Sequence, residues 1–180
     1  MKHEINVFDY ANDITKAIGK GVLLNTFADG RFNTMTIGWG SLGIEWNKPV
    51  FTAYVRESRF TTQLLRRNEA FTISVPLGEY DKSVLGQAGS LTGWKIDKEK
   101  DLAITLEDAA VNGVPGIKEF PLTLECRVIY KKEQPIAEIA IEDIEQRMYP
   151  PDEPDPYAGR NNSPHTEYIG EIVAAYIIEE

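Results

Sequence analysis

Two short stretches carry residue types that could hold a flat, anionic ligand. The first is Met35-Thr36-Ile37-Gly38-Trp39-Gly40-Ser41-Leu42-Gly43, with three glycines within six positions, interleaved with a Trp and a Ser. Glycine has no Cβ, so backbone there can approach a ligand or another backbone closely. The second is Arg56-Glu57-Ser58-Arg59-Phe60-Thr61-Thr62. Its guanidinium groups can make charge-assisted bidentate bonds, its hydroxyls can donate, and a helix expected from residue 61 would add free N–H groups. That is chemistry suited to a phosphate. Plain structural roles compete at every position. Ser58 or Thr61 could cap the helix, Arg56 and Arg59 could be surface charges, Thr36 a solvent-facing strand residue, and Trp39 and Trp46 core residues.

Turn chemistry and hydrophobic periodicity give the elements that must position these groups. Asn12 or Asp13 can cap a short helix through Ile14, Ala17 and Ile18 that stops at Gly19. A strand over 21–27, the turn signal Asp29-Gly30 and a return strand over 31–37 form a hairpin, with the glycine stretch as a loop at its end. Residues 50–55 are a third strand whose expected partner is 70–75, closed off by Pro76. Between them, 61–68 reads as a helix with Arg66 and Arg67 as solvated charges in its last turn. A helix is expected over 80–88 with Asp81 able to cap it, and 89–98 is a glycine-punctuated loop. Residues 122–130 alternate as a strand that places Cys126 on its apolar face, a core thiol rather than a reactive one. A short helix over 138–148, a Pro/Asp-rich surface arm around 149–164 and a last strand over 168–178 complete the chain. Strands separated by turns, with few helices, favour an antiparallel barrel over βαβ units. No glycine loop joins a strand to a long helix as a dinucleotide-binding Rossmann unit needs.

The Asn33–Gly43 stretch, Trp46-Asn47-Lys48-Pro49 and Val55-Arg56-Glu57-Ser58-Arg59-Phe60-Thr61 resemble the flavin reductase-like, FMN-binding split-barrel family, in particular its flavoredoxin-like branch. The likeness resumes at 89–98, at Leu124-Glu125-Cys126 and at 165–173, and so covers most of residues 20–176. It implies a mainly β, antiparallel Greek-key split barrel with a few short flanking helices, one domain over 1–180, and one FMN per subunit at a homodimer interface. Met35, Thr36, Ile37, Gly38, Trp39, Gly40 and Ser41 would then lie along the isoalloxazine, with the Thr36 hydroxyl facing its edge. Arg56, Ser58, Arg59 and Thr61 would take the phosphate, and Gly89 would join the cofactor-binding set. His165 heads a recurrent family block; it could donate a proton near flavin N1 or N5, or hold the arm at the dimer interface. The family usually shows Cys-Gly, Ser-Gly-Arg-Asp and Asp-Lys across the 88–98 frame, whereas this chain has Ala88-Gly89, Thr92-Gly93-Trp94-Lys95 and Asp97-Lys98. The contact made by the usual arginine is therefore in question, with Trp94 offering an aromatic surface instead.

The resemblance implies an oxidoreductase passing electrons from NAD(P)H, bound transiently, or from a protein donor, to a flavin or other small-molecule acceptor. An FMN-binding electron carrier or sensor with little turnover is the alternative. A pyridoxamine-phosphate-oxidase-like enzyme on the same barrel is disfavoured by the arginine block. Charge bounds the partners: 19 basic against 28 acidic residues give a net charge of −9, which argues against nucleic acid and anionic membrane surfaces. The single cysteine allows no internal disulfide, and no basic-headed leader or long apolar run occurs, so a cytoplasmic setting is expected. No His/Cys/Asp/Glu spacing suits a metal, and no G-x-S-x-G elbow supports a nucleophilic serine.

Overall fold

Asp29 and Gly30 both lie in the left-handed region, at φ 52° and 73°, as a two-residue type I′ hairpin requires. The structure, a computed structural model, describes residues 1–150, 154–155, 159–160 and 163–179. Most of the expected Pro/Asp-rich arm lies outside the described residues. Strand β1 (Lys2–Glu4) leads through a 3₁₀ turn to helix α1 (Ala11–Ile18), and the Asp29-Gly30 turn joins β2 (Val22–Ala28) to β3 (Arg31–Ile37). The cap at this end is Asn6, which accepts from Phe8 N in the 3₁₀ turn; Asn12 and Asp13 fall inside the first turn of α1.

The glycine stretch is not one loop. Only Gly38 and Trp39 lie between strands; the chain resumes as β4 (Gly40–Glu45), turns at Trp46-Asn47 and returns as β5 (Lys48–Arg56). Trp46 and Asn47 take φ values of 47° and 59°, a second tight hairpin that glycine counting does not reveal. Helix α2 (Phe60–Leu65) and β6 (Ala70–Val75) follow, then α3 (Lys82–Ser90), capped by Asp81, and α4 (Lys98–Asp101). The two-residue strands β7 (Leu106–Glu107) and β8 (Gly116–Ile117) pair with each other. Long β9 (Leu122–Gln134), α5 (Glu142–Met148), a small pair β10 (Pro154–Asp155) with β11 (Gly159–Arg160), and β12 (His165–Ile178) complete the described chain.

The strands pair antiparallel in the order β3-β2-β6-β9-β12-β5-β4, with β1 also on β12. The expected β5–β6 pairing does not form: β5 lies between β4 and β12, and β6 between β2 and β9. Both are interior strands, β6 buried throughout and β5 buried over most of its length, so burial alone does not choose their neighbours. Strand β12 holds the sheet together by changing neighbours, pairing β5 over His165–Glu171 and β1 over Tyr176–Ile178, with bulges at 169/170 and 172/174 that increase its twist. The inner face packs Leu24, Phe51, Phe71, Ile73 and Leu124, each fully buried, and the outer face of β2 and β3 is closed by Val84, Leu85 and Ala88 of α3. Each such side chain contributes about 1.5–3 kcal/mol relative to exposure. Cys126 lies in this core, and burial pushes its thiol well above the usual range. No helix among the described residues is long and apolar enough to cross a membrane.

Candidate functional site

Strands β3 and β4 are consecutive in sequence but are not paired with each other, so the sheet path is open between them. The Gly38-Trp39 corner stands at this opening. A cleft of about 170 Å³ lies there, lined by Met35, Thr36, Ile37, Gly38, Trp39, Tyr54, Arg56, Arg59 and His165. Eight of these nine were expected from sequence, on three separate stretches of chain; Tyr54 was not. The two glycines at the corner have different physics. A Cβ on Gly40 would stand 2.8 Å from the Thr52 carbonyl oxygen, so the β4–β5 approach itself demands glycine there. On Gly38 it would meet only the Ile18 carbonyl at 3.8 Å, an ordinary contact, so packing does not require glycine at the exposed corner.

A tight turn after β5 brings the arginines together: Arg59 N donates to Arg56 O at 3.0 Å, and the Thr62 hydroxyl donates to the same carbonyl at 3.1 Å. Arg56 is buried, and its guanidinium donates to Ser163 O at 3.0 Å and Met148 O at 3.1 Å, tying the segment before β12 to the end of α5. Arg59 is half-buried and caps α2 through its backbone. The β12–β5 register sets His165 opposite Arg56, which is why β12 must begin at His165 rather than at Tyr168. The imidazole lies against Trp39, ring centroids 4.8 Å apart, and its Nδ1 is 2.7 Å from the Tyr149 hydroxyl. Burial, with Arg56 and Arg59 nearby, holds its pKa down to about 3, so the ring is uncharged at neutral pH.

The remaining expected site residues lie outside this lining, and Thr36, within it, turns its hydroxyl proton away from the cleft. The Thr36 hydroxyl donates to Leu85 O at 2.6 Å, spending its proton on α3 rather than on the cleft. Gly89 is inside α3, where a Cβ would stand 3.4 Å from that of Thr36. Thr61 is buried and accepts from Asn33 Nδ2 at 2.9 Å, while Ser41 is exposed on β4. Ser58 is half-buried in the turn between the arginines. Trp46, 58% exposed, sits at the β4–β5 turn with its ring 6.2 Å from that of Tyr130, and is not core. Trp94, also exposed, packs edge-on against Phe60 at 5.0 Å; Arg31 lies over the same Phe60 ring, 4.3 Å from its centroid, and donates to the carbonyls of Gly93 and Ile96.

Three residues escaped the sequence reading. Tyr54 was within reach, since period-two alternation puts it on the same strand face as Arg56; its hydroxyl donates to Glu167 at 3.3 Å. Lys98 is buried and donates to Thr34 O at 2.6 Å and Ala88 O at 2.7 Å, with its pKa lowered to about 8 by burial and by Arg59. Tyr149 follows α5 at the head of the proline-rich segment, where no local pattern signals a site.

One buried and one half-buried arginine, an uncharged imidazole, an exposed indole and an open glycine corner together suit an aromatic ligand with an anionic tail. The cleft of about 170 Å³ is below the roughly 300 Å³ at which small-molecule sites usually begin, so one chain's cleft has room for only part of such a ligand. Comparison with known proteins points the same way. An uncharacterised protein of Archaeoglobus fulgidus is 34% identical over 101 residues, a match that spans 56% of this chain and only 56% of that relative. The solved flavoredoxin from Methanosarcina acetivorans superposes with a TM-score of 0.64 at 26% identity, covering 88% of this chain and 68% of that one. An FMN-binding domain of a flavin reductases-like enzyme from Shewanella baltica OS155 shares the fold at 14% identity, with a TM-score of 0.67 over 98% of this chain and 77% of the other. The family described as the flavin reductase like domain matches residues 15–180. The chain belongs to that family, with its antiparallel split-barrel fold.

Proposed function

We propose that the protein binds FMN at the Gly38–Trp39 corner as a homodimer and acts as a flavin reductase-like oxidoreductase. The observation that carries this reading is the convergence of Arg56, Arg59, Trp39 and His165 on one cleft at the open edge of the barrel. These residues fit the cofactor in kind. Arg59, half-buried beside the turn, offers a guanidinium to the phosphate, and Arg56 adds positive potential while holding the walls in place. Gly38 leaves backbone open to the ring, and Trp39 offers an aromatic face. The flavin supplies the two-electron chemistry that no side chain of this cleft can supply. The chain's own residues bind it, orient it and keep the imidazole uncharged beside two fixed cations.

The small volume of the cleft supports a dimeric site, since a second copy can cover what one chain leaves exposed. The edge strand β4 carries Ile44 at 70% exposure, and the turn after it carries Trp46 at 58% with Tyr130 beside it, apolar surface that association would bury. Electrons would come from NAD(P)H or a reduced protein and pass to a flavin or another small acceptor in the cytoplasm. The test is anaerobic: purified protein loaded with FMN is mixed with NADH or with NADPH, and bleaching of the flavin absorbance is followed. Rapid bleaching with either supports the reductase. Bleaching only by a reduced electron-transfer protein supports the carrier, and failure to bind FMN at micromolar concentration sinks both.

A further inference from the structure

The imidazole of His165 has two nitrogens with separate fates. Nδ1 meets the Tyr149 hydroxyl at 2.7 Å, with the two rings nearly perpendicular at 80°. Nε2 has no hydrogen-bond partner among the described residues, on a side chain that lines the cleft. We propose that Tyr149 is a positioning residue: its hydroxyl donates to Nδ1 and holds His165 in the tautomer whose proton sits on Nε2, so that the cleft receives an N–H donor without a charge.

The direction of the bond follows from the two groups. A phenol is a far stronger acid than a neutral imidazole N–H, and an imidazole nitrogen is a far better acceptor than a phenol oxygen. The opposite arrangement, with Nδ1–H donating to Tyr149, would waste both preferences. An imidazolium would make both nitrogens donors, and Arg56 and Arg59 both face it and oppose its charge. Tyr149 stays protonated, since burial raises its pKa.

The rest of the neighbourhood holds this pair in register. Arg56 lies 5.0 Å over the Tyr149 ring and donates to Met148 O, immediately before Tyr149, and to Ser163 O, two residues before His165. One guanidinium thus clamps both segments that carry the pair. Trp39 closes the other side of the imidazole. The recipient chemistry is an acceptor atom on the edge of a planar heteroaromatic ring; that part rests on the proposed flavin site, whereas the tautomer does not.

The full-length protein labelled with [15N]histidine gives the test, by long-range proton–nitrogen correlation at neutral pH. Only His3 and His165 contribute, and His3→Gln removes the first. The expected spectrum shows a protonated Nε2 and an unprotonated, hydrogen-bonded Nδ1. In Tyr149→Phe, which keeps the ring over Arg56, the Nδ1 resonance should move to its free position and the second tautomer should appear. A protonated Nδ1 or an imidazolium pattern in the parent protein overturns the proposal, as does an unchanged pattern in Tyr149→Phe. Riboflavin is then titrated against the parent protein. A shifted Nε2–H resonance on binding supports the donor role, and flavin binding that leaves it unmoved overturns that role. Absence of any riboflavin or FMN binding refutes the proposed function while the tautomer remains legible.

Discussion

Arg59→Ala tests the anion site with least disturbance of the fold. Arg56 is the poorer choice, because its guanidinium holds Met148 O and Ser163 O and its loss would loosen two segments at once. Arg59 contributes to α2 mainly through its backbone, which alanine retains. A phosphate that loses a desolvated cationic partner is weakened by about 2–4 kcal/mol. At about 1.4 kcal/mol per decade this is roughly 30- to 1,000-fold in affinity. Since Arg59 is only half-buried, solvent screening places the expected loss near the lower limit, about 30-fold. Riboflavin has the same ring and ribityl chain without the phosphate, so its affinity should hardly change. Fluorescence titrations of both ligands against both proteins decide the matter, and added salt should narrow the difference for FMN alone. Equal weakening of FMN and riboflavin would show that Arg59 supports the fold rather than the phosphate, and the Arg56–Thr61 assignment would have to be withdrawn.

Three further outcomes are expected. Lys98 has a folded-state pKa of about 8, below the unfolded value of about 10.4, so the unfolded chain binds more protons between these limits and stability rises with pH across them. Relative to Lys98→Met, the unfolding free energy from urea titration should therefore climb by up to about 3 kcal/mol between pH 8 and pH 10.4; a flat difference would put Lys98 in contact with water. The buried Glu125 carboxylate accepts from the backbone N–H groups of Ala110, Val111 and Asn112 and from the Tyr176 hydroxyl. Glu125→Ala should lower stability by about 3–5 kcal/mol by leaving these donors unpaired, and a loss below about 1 kcal/mol by chemical denaturation would contradict the anchoring of this loop. Sedimentation should give a mass near twice that of one chain, and Ile44→Asp on the exposed β4 edge should shift it toward the monomer; a monomer that still binds FMN would refute the shared site.

Much of the site was legible because its chemistry is local. The Arg56–Thr61 block declares its charge and its turn in consecutive residues, and the glycines mark the corner within a few positions. The β-rich fold class also follows from alternation and turn residues, as with the paired φ > 0 residues at Asp29-Gly30. Strand order was not legible, because alternation says which face is buried and not which strand lies alongside. Residues 50–55 and 70–75 both read as good strands; only the whole sheet reveals that β12 and β9 stand between them. The β4 strand was hidden by its glycines, since Gly40 and Gly43 suggest a loop while Gly40 is there so that Phe51 and the Thr52 carbonyl can come close. Thr36 reaches the cleft as expected, but nothing in the sequence shows that Leu85 O lies 2.6 Å from its hydroxyl. Tyr149 was least visible of all, its partner His165 standing beyond a proline-rich segment that carries no periodicity.

The position of the cleft follows from one topological fact. Consecutive strands usually pair, and a tight hairpin at Gly38-Trp39 would have closed β3 onto β4 and removed the opening. Instead β4 pairs with β5 and, among the described residues, with no other strand, and the β5 residues Tyr54 and Arg56 line the cleft at that opening. Polar and charged side chains there have a route to solvent that the closed side of the sheet denies them, so two arginines can gather at the cleft. The same opening fixes the state of His165. It is deep enough, between Trp39 and Tyr149, for burial to suppress its charge, yet still borders the cleft. An imidazole on the outer face would titrate in the ordinary range, and one in the inner core would face no ligand. At this edge an uncharged imidazole and two permanent cations line one cleft, an arrangement suited to an aromatic anion.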